Sequence, residues 1–293
     1  MKDVLSQRSS FAGSRFLELL KGCQPFINQQ HTILNVKYTI MNSNRANAIG
    51  LMGLALALVS CNEPTERGQS ASEQTQAEQP NVEVVGLVED VLTKEEQSAL
   101  TPDMVVQSFK EGNGRFVRND LTARNHSEQV RKSTNAQYPK AIVLSCVDSR
   151  VPVEDVFDRG IGDIFVARVA GNFVNEDILG SMEFACKVSG SKLVLVMGHE
   201  HCGAVKAAVD DVKLGNITPM LTKIKPAVEK VDYSGERTSG NAEFVHMVCE
   251  SNVQHTISQI REKSPILKEM EDNGEIKIIG AVYDMDTGKA SFL

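Results

Sequence analysis

The chain has no lysine- and arginine-rich run, no internal repeat, no dense set of cysteines and no apolar stretch long enough to cross a bilayer comfortably. Each absence excludes something. With 31 basic residues against 38 acidic ones the formal net charge is −7, which argues against a nucleic-acid partner. Six cysteines spread over 293 residues form no disulfide framework. What remains is ordinary for a globular protein: 24% charged and 41% hydrophobic residues.

The first ninety residues read as address and tether. Residues 41–61, MNSNRANAIGLMGLALALVSC, have the layout of a secretory signal with its own methionine. Arg45 supplies the positive start, residues 48–59 an apolar core too short to span comfortably, and Leu58-Val59-Ser60-Cys61 the end. That ending resembles the lipobox of bacterial lipoproteins, in which the cysteine is acylated and becomes the mature N-terminus. It implies lipidation at Cys61 and a place in a bacterial cell envelope, on the periplasmic or surface side. Residues 62–90 begin with a stretch rich in Gln, Glu, Ser, Thr and Pro that holds almost no large apolar residue. Such a stretch cannot offset its ordering entropy, so a disordered polar tether is expected there. Residues 1–40 have no place in this scheme and are read as an upstream extension from a mis-assigned start, the alternative being a genuine N-terminal extension whose function the sequence does not show.

Residues 91–293 carry the globular part. Apolar, β-branched runs at 141–145, 164–169, 192–197 and 276–283 read as buried strands. Helical stretches are expected from Thr101-Pro102 to Gly114, and over 177–188, from Gly203, over 218–231 and over 242–262. Asp286-Thr287-Gly288 suggests a turn into a last short strand. The alternation predicts an α/β fold, a single domain with a mostly parallel β-sheet flanked by helices.

Two residue sets follow two of those strands. Cys146, Asp148 and Arg150 lie in AIVLSCVDSR, and His199 and Cys202 in LVLVMGHEHCGA. In an extended segment residues two apart face the same side, so the first set can converge. The second is expected where strand 192–197 turns, through Gly198, into a helix near Gly203. Carboxyl ends of parallel strands are where open α/β sheets place their sites. Two thiolates and one imidazole suit one Zn²⁺ per chain and leave a fourth position for water or a carboxylate. Two thiolates cancel the ion's charge, so a bound water gives up its proton less readily than under three imidazoles. Arg150 can hold Asp148 bidentately, leaving an oxygen to accept a hydrogen bond from the nucleophile and aim its lone pair.

C-x-D-x-R followed some fifty residues on by H-x-x-C-G-A resembles the β-class carbonic anhydrases. Gln137-Tyr138-Pro139, Gly162–Arg168 and Gly180–Ala185 extend the likeness to roughly residues 102–284. The resemblance implies reversible hydration of carbon dioxide to bicarbonate by a zinc-bound hydroxide. It implies Gln137, Phe165 and Phe184 as substrate-cleft residues contributed largely by a neighbouring subunit, hence a homodimer or a dimer of dimers. Position 184 is often tyrosine in the family; here the hydroxyl is missing and an apolar wall stays. It further implies a closed state in which Asp148 leaves Arg150 and becomes the fourth zinc ligand. The chain has no tryptophan, so an inhibitory bicarbonate pocket built partly on that residue would need other groups.

Two other functions fit the same motifs: hydrolysis of carbonyl sulfide or carbon disulfide, and a non-catalytic zinc-binding scaffold. The scaffold has no use for Asp148, Arg150 and Gln137. His201, between the ligands, could ferry protons, but reads as an exposed bystander. His246-x-x-Cys249 repeats the ligand spacing inside an apparent helix without companion ligands, and reads as ordinary helix sequence. Cys186 reads as a small buried hydrophobe, and Cys23 as a free or buried thiol.

Overall fold

The computed structural model describes residues 86–293. The expected signal segment, Cys61, Cys23 and most of the expected tether lie outside the described residues. No helix among the described residues is long and apolar enough to cross a membrane.

A five-stranded sheet forms the centre, in the order β2-β1-β3-β4-β5. Its strands are β1 (Ala141–Ser145), β2 (Ile164–Arg168), β3 (Leu193–His199), β4 (Lys277–Tyr283) and β5 (Ala290–Phe292). The first four run parallel and β5 returns antiparallel along β4. Every residue of β1 and β3 is buried, as continuous apolar runs in a covered parallel sheet require. Alternate residues feed two cores. Ile142, Leu144, Val194 and Val196 pack on one face with Met182, Val253, Ile257 and Leu267. Ala141, Val143, Leu193 and Leu195 pack on the other with Val105, Phe109, Val153 and Phe157.

The helices before and between the first strands are α1 (Lys94–Ala99), α2 (Pro102–Val117), α3 (His126–Lys132), α4 (Val153–Val156) and α5 (Glu176–Glu183). After β3 come α6 (Gly203–Val209), α7 (Ile217–Leu221), α8 (Lys225–Lys230), α9 (Ala242–Lys263) and α10 (Pro265–Asp272). Thr101 caps α2 by accepting from the Met104 N–H, with Pro102 at the first turn, as expected. That helix runs past Gly114 to Val117.

Three expectations need correction. The helix expected over 177–188 is α5 followed by a π-helical turn, Phe184–Val188. The helix expected over 218–231 is the two short ones α7 and α8, and Pro226 in the first turn of α8 has no N–H with which to continue an earlier helix. Strand β3 extends to His199, so Gly198 is inside the strand and makes no turn. Its role is close approach. A Cβ on Gly198 would stand 2.8 Å from Val253 Cγ2, and one on Gly280 of β4 would stand 2.5 Å from Val253 Cγ1. These two glycines let α9 settle onto the sheet.

The chain is seated against the domain before residue 91. Val88 N–H donates to Ala123 O at 2.8 Å and Val88 O accepts from Asn125 N at 2.9 Å. The last residues of the stretch expected as tether are therefore part of the domain. Deeper in, Asp158 is fully buried and takes Arg115 Nε and Arg124 Nη1 at 2.5 Å each and Thr122 Oγ1 at 2.7 Å. It ties α2 and the loop before α3 to the segment after α4.

Candidate metal centre

The carboxyl ends of β1 and β3 lie side by side, since Leu144 pairs with Val196. The chain leaving β1 carries Cys146, and the last residue of β3 is His199. The turn that follows is Glu200-His201, with His201 in the left-handed region at φ 54°. It delivers Cys202 as the N-cap residue of α6. Cys146, His199 and Cys202 are all buried, and their Sγ and ring nitrogen atoms lie within 4.8 Å of one another. The two cysteines share a buried apolar cluster with Phe173, Val205, Phe244 and Val248.

His199 Nδ1 stands 2.8 Å from the Glu200 carbonyl, an acceptor only, so Nδ1 carries the proton. Nε2 then presents a lone pair, buried and with no hydrogen-bond partner. A buried acceptor without a partner beside two thiols fits a soft or borderline divalent cation, and Zn²⁺ in particular. The thiols are coupled. The neighbouring Cys202 thiol, together with the Gly171 N–H that donates to Cys146 Sγ at 3.4 Å, holds Cys146 well below the usual thiol range against the effect of burial. Cys202 is pushed up by Cys146 and by burial. The two sulfurs titrate as a pair, and a cation held there would displace the protons they carry.

Asp148 and Arg150 sit at the rim. Arg150 Nε donates to Asp148 Oδ1 at 2.9 Å, Nη2 to Oδ2 at 2.8 Å, and the Arg150 N–H to Oδ1 at 3.0 Å. The guanidinium holds the Asp148 carboxyl well below the usual carboxylate range, against the effect of burial. Asp148 Oδ2 is 3.9 Å from His199 Nε2. The carboxylate is therefore ionised, oriented and directed at the buried ligands.

Residues 141–290 match the family model described as Carbonic anhydrase, just over half of the chain. The chain belongs to the carbonic anhydrase family. Carbonic anhydrase 2 of Mycobacterium tuberculosis is 34% identical over 188 residues, covering 63% of this chain and 89% of the relative. The solved β-carbonic anhydrase CcaA shares the fold with a TM-score of 0.53 at 21% identity, over 64% of this chain and 91% of that one. One of two tetrameric β-carbonic anhydrases from Sordaria macrospora gives 0.50 at 20% identity, over 65% and 95%. The fold is that of the β-class.

The cleft residues expected from the resemblance stand apart from the ligands. Gln137 is exposed in the loop before β1. Phe165 on the edge strand and Phe184 in the π turn meet edge to face at 6.1 Å. Both line a groove of about 800 Å³ with Ile142, Ala167 and Ile178, and none of the metal ligands borders it. Within one chain the structure does not bring these three residues to the metal centre. His201 is exposed, as expected, with polar atoms of Glu200 and Asp286 within 4.8 Å.

Sequence reasoning missed the supports. Arg168, at the end of β2, donates to the carbonyls of Cys146 (2.8 Å), Asp148 (2.6 Å) and Val151 (3.0 Å), pinning the loop that carries half of the site. Its place in Gly162–Arg168 marked it, but nothing in the sequence showed what it holds. Cys249 is a support as well. Cys249 Sγ–H donates to His199 O at 3.3 Å, and burial pushes that thiol up to about 12. His246 Nδ1 stands 3.1 Å from Glu200 Oε1. Cys186 is a buried core residue, its thiol also raised to about 12 by burial.

Proposed function

We propose that this chain catalyses the reversible hydration of carbon dioxide to bicarbonate, with Zn²⁺ held by Cys146, His199 and Cys202. The observation that carries the reading is the convergence of three buried soft ligands beside a bidentate Asp148–Arg150 pair. A closed structural site has no use for that pair. When bound, zinc would supply the Lewis acidity that makes water a nucleophile, at a higher pH than under three imidazoles. Asp148 accepts the hydrogen bond of the attacking water and turns a lone pair toward CO₂, while Arg150 keeps the carboxylate from drifting. Phe173, Val205 and Phe244 keep competing bulk water away from the ligands.

We further propose that the enzyme works as a homodimer or a dimer of dimers. Phe184 is half exposed, and none of its own chain's ligands borders the groove it lines with Phe165. A second copy, with Gln137, Phe165 and Phe184 at its surface, supplies the cleft wall that this chain's centre lacks. Lipid anchoring through Cys61 completes the proposal and places the enzyme in a bacterial envelope; its support is the sequence of residues 41–61.

Stopped-flow CO₂ hydration by the zinc-loaded protein, run beside a carbonyl sulfide assay, tests the reading. Hydration that depends on zinc is expected. Turnover of carbonyl sulfide without CO₂ hydration would replace the substrate, and turnover of neither would leave a scaffold.

A further inference from the structure

We infer that Asn252, on α9, is a positioning residue of the metal centre, acting on Cys146 through Gly171. Asn252 is 1% exposed, and its Nδ2 donates to the Gly171 carbonyl at 2.8 Å. Gly171 N–H in turn donates to Cys146 Sγ at 3.4 Å. The glycine is held at both ends, by the amide on one side and the ligand sulfur on the other. Its φ of +82° is a conformation that side chains avoid, and a Cβ there would stand 2.4 Å from Ile224 Cδ1. The backbone therefore has one way to lie, and Asn252 fixes its outer end.

The amide at position 252 has no packing rationale. Its Oδ1 is buried without a hydrogen-bond partner, an arrangement that an apolar residue of the same size would avoid. What the amide contributes is the donor to Gly171. Cys249, three residues earlier and so on the same helix face, donates to the carbonyl of His199 at 3.3 Å. One face of α9 thus reaches behind two of the three ligands, and the approach is made possible by Gly198 and Gly280 under Val253.

A peptide N–H aimed at a ligand thiolate draws electron density from the sulfur and fixes its direction, so the cation it holds keeps more of its charge. The inference rests on the zinc reading, and the experiment separates the two. Full-length wild type, Asn252→Leu and Ile257→Ala are compared for zinc affinity by chelator competition. Their cobalt-substituted forms are compared for the thiolate-to-cobalt charge-transfer band. Ile257 packs in the same core and has no polar atom with which to hold Gly171 or His199, so its truncation reports packing loss without loss of a hydrogen bond. Asn252→Leu is expected to bind zinc about 10–100-fold more weakly, the usual cost of losing an outer hydrogen bond. Its cobalt band should move to longer wavelength as the sulfur becomes more electron-rich, and Ile257→Ala should show neither change. A wild-type band in Asn252→Leu, whatever its affinity, overturns the inference, as does an equal shift in Ile257→Ala. A wild type that takes up neither metal sinks the zinc reading instead. Should Asn252→Leu fail to fold, cadmium-113-loaded wild type decides. Scalar coupling between the metal and the Gly171 amide proton supports the bond, and its absence overturns it.

Discussion

Arg150 and Asp148 meet edge to edge, Nε on Oδ1 at 2.9 Å and Nη2 on Oδ2 at 2.8 Å, two residues apart in sequence. The pair closes a small ring with the Arg150 peptide N–H, also on Oδ1. Arginine's planar fork fits this arrangement and a lysine ammonium does not. Arg150→Ala should keep its zinc and lose on the order of 10–100-fold in kcat/KM, because the freed carboxylate no longer points one oxygen at the nucleophile. Arg150→Lys should recover little of that loss. Metal content measured beside stopped-flow rates checks both, and an unchanged kcat/KM in Arg150→Ala rules the dyad out.

Cys202, the N-cap residue of α6, is 1% exposed and is placed to contribute a thiolate. Purified wild type should carry about one zinc per chain. Cys202→Ser should lose most of the metal together with hydration activity, since a serine hydroxyl stays protonated and binds zinc poorly. Elemental analysis after dialysis settles it: full occupancy in Cys202→Ser removes the ligand assignment.

Some of this was legible in the sequence and some was not, for physical reasons. Cys146, Asp148, Arg150, His199 and Cys202 announce themselves because each couples a reactive group to the end of an apolar strand run. Gly198 misled, because a glycine inside a strand looks like a turn until the helix that lies on it is seen; the real turn uses His201 at positive φ. Asn252 carries no local signal, and the spacing of His246-x-x-Cys249 points to a ligand pair and not to the support that Cys249 gives. Asn252 and Cys249 act only because α9, some fifty residues after His199, folds back against β3 and β4. Asp158 was equally silent: a lone carboxylate in sequence becomes the hub of two arginines only in the fold.

That hub gives a pH prediction. Burial would raise the Asp158 carboxyl, but bonds from Arg124, Thr122 and Arg115 outweigh it and hold the group below the usual carboxylate range. A depressed folded value means stability that is fully present above the unfolded value of about 4 and lost as pH falls below it. Asp158→Asn tolerates the positive φ of 50° but leaves two arginines without their anion. It should cost about 3 kcal/mol at pH 7, and the gap to wild type should narrow below about pH 4. Urea unfolding at both pH values tests this, and an equal gap at both contradicts it.

The anchor stands on a separate argument. Leu58-Val59-Ser60-Cys61 closes an apolar segment with a cysteine and is followed by a polar stretch with no membrane-binding face. Any attachment must then come from acyl groups on Cys61, and stable attachment generally takes more than one chain. Expressed from Met41 in a Gram-negative host, the protein should be cleaved before Cys61, labelled by a fatty-acid analogue, and recovered with membranes. Cys61→Ala should block labelling and leave a misprocessed precursor whose zinc site is intact, because the three ligands come from the loop after β1, the end of β3 and the N-cap of α6 and owe nothing to residue 61. No label on the Met41 protein, or equal label on Cys61→Ala, ends the lipoprotein reading and leaves the catalytic one standing. Label confined to Cys61 puts interconversion of CO₂ and bicarbonate outside the cytoplasm, where it can feed an uptake route for either species or buffer the envelope.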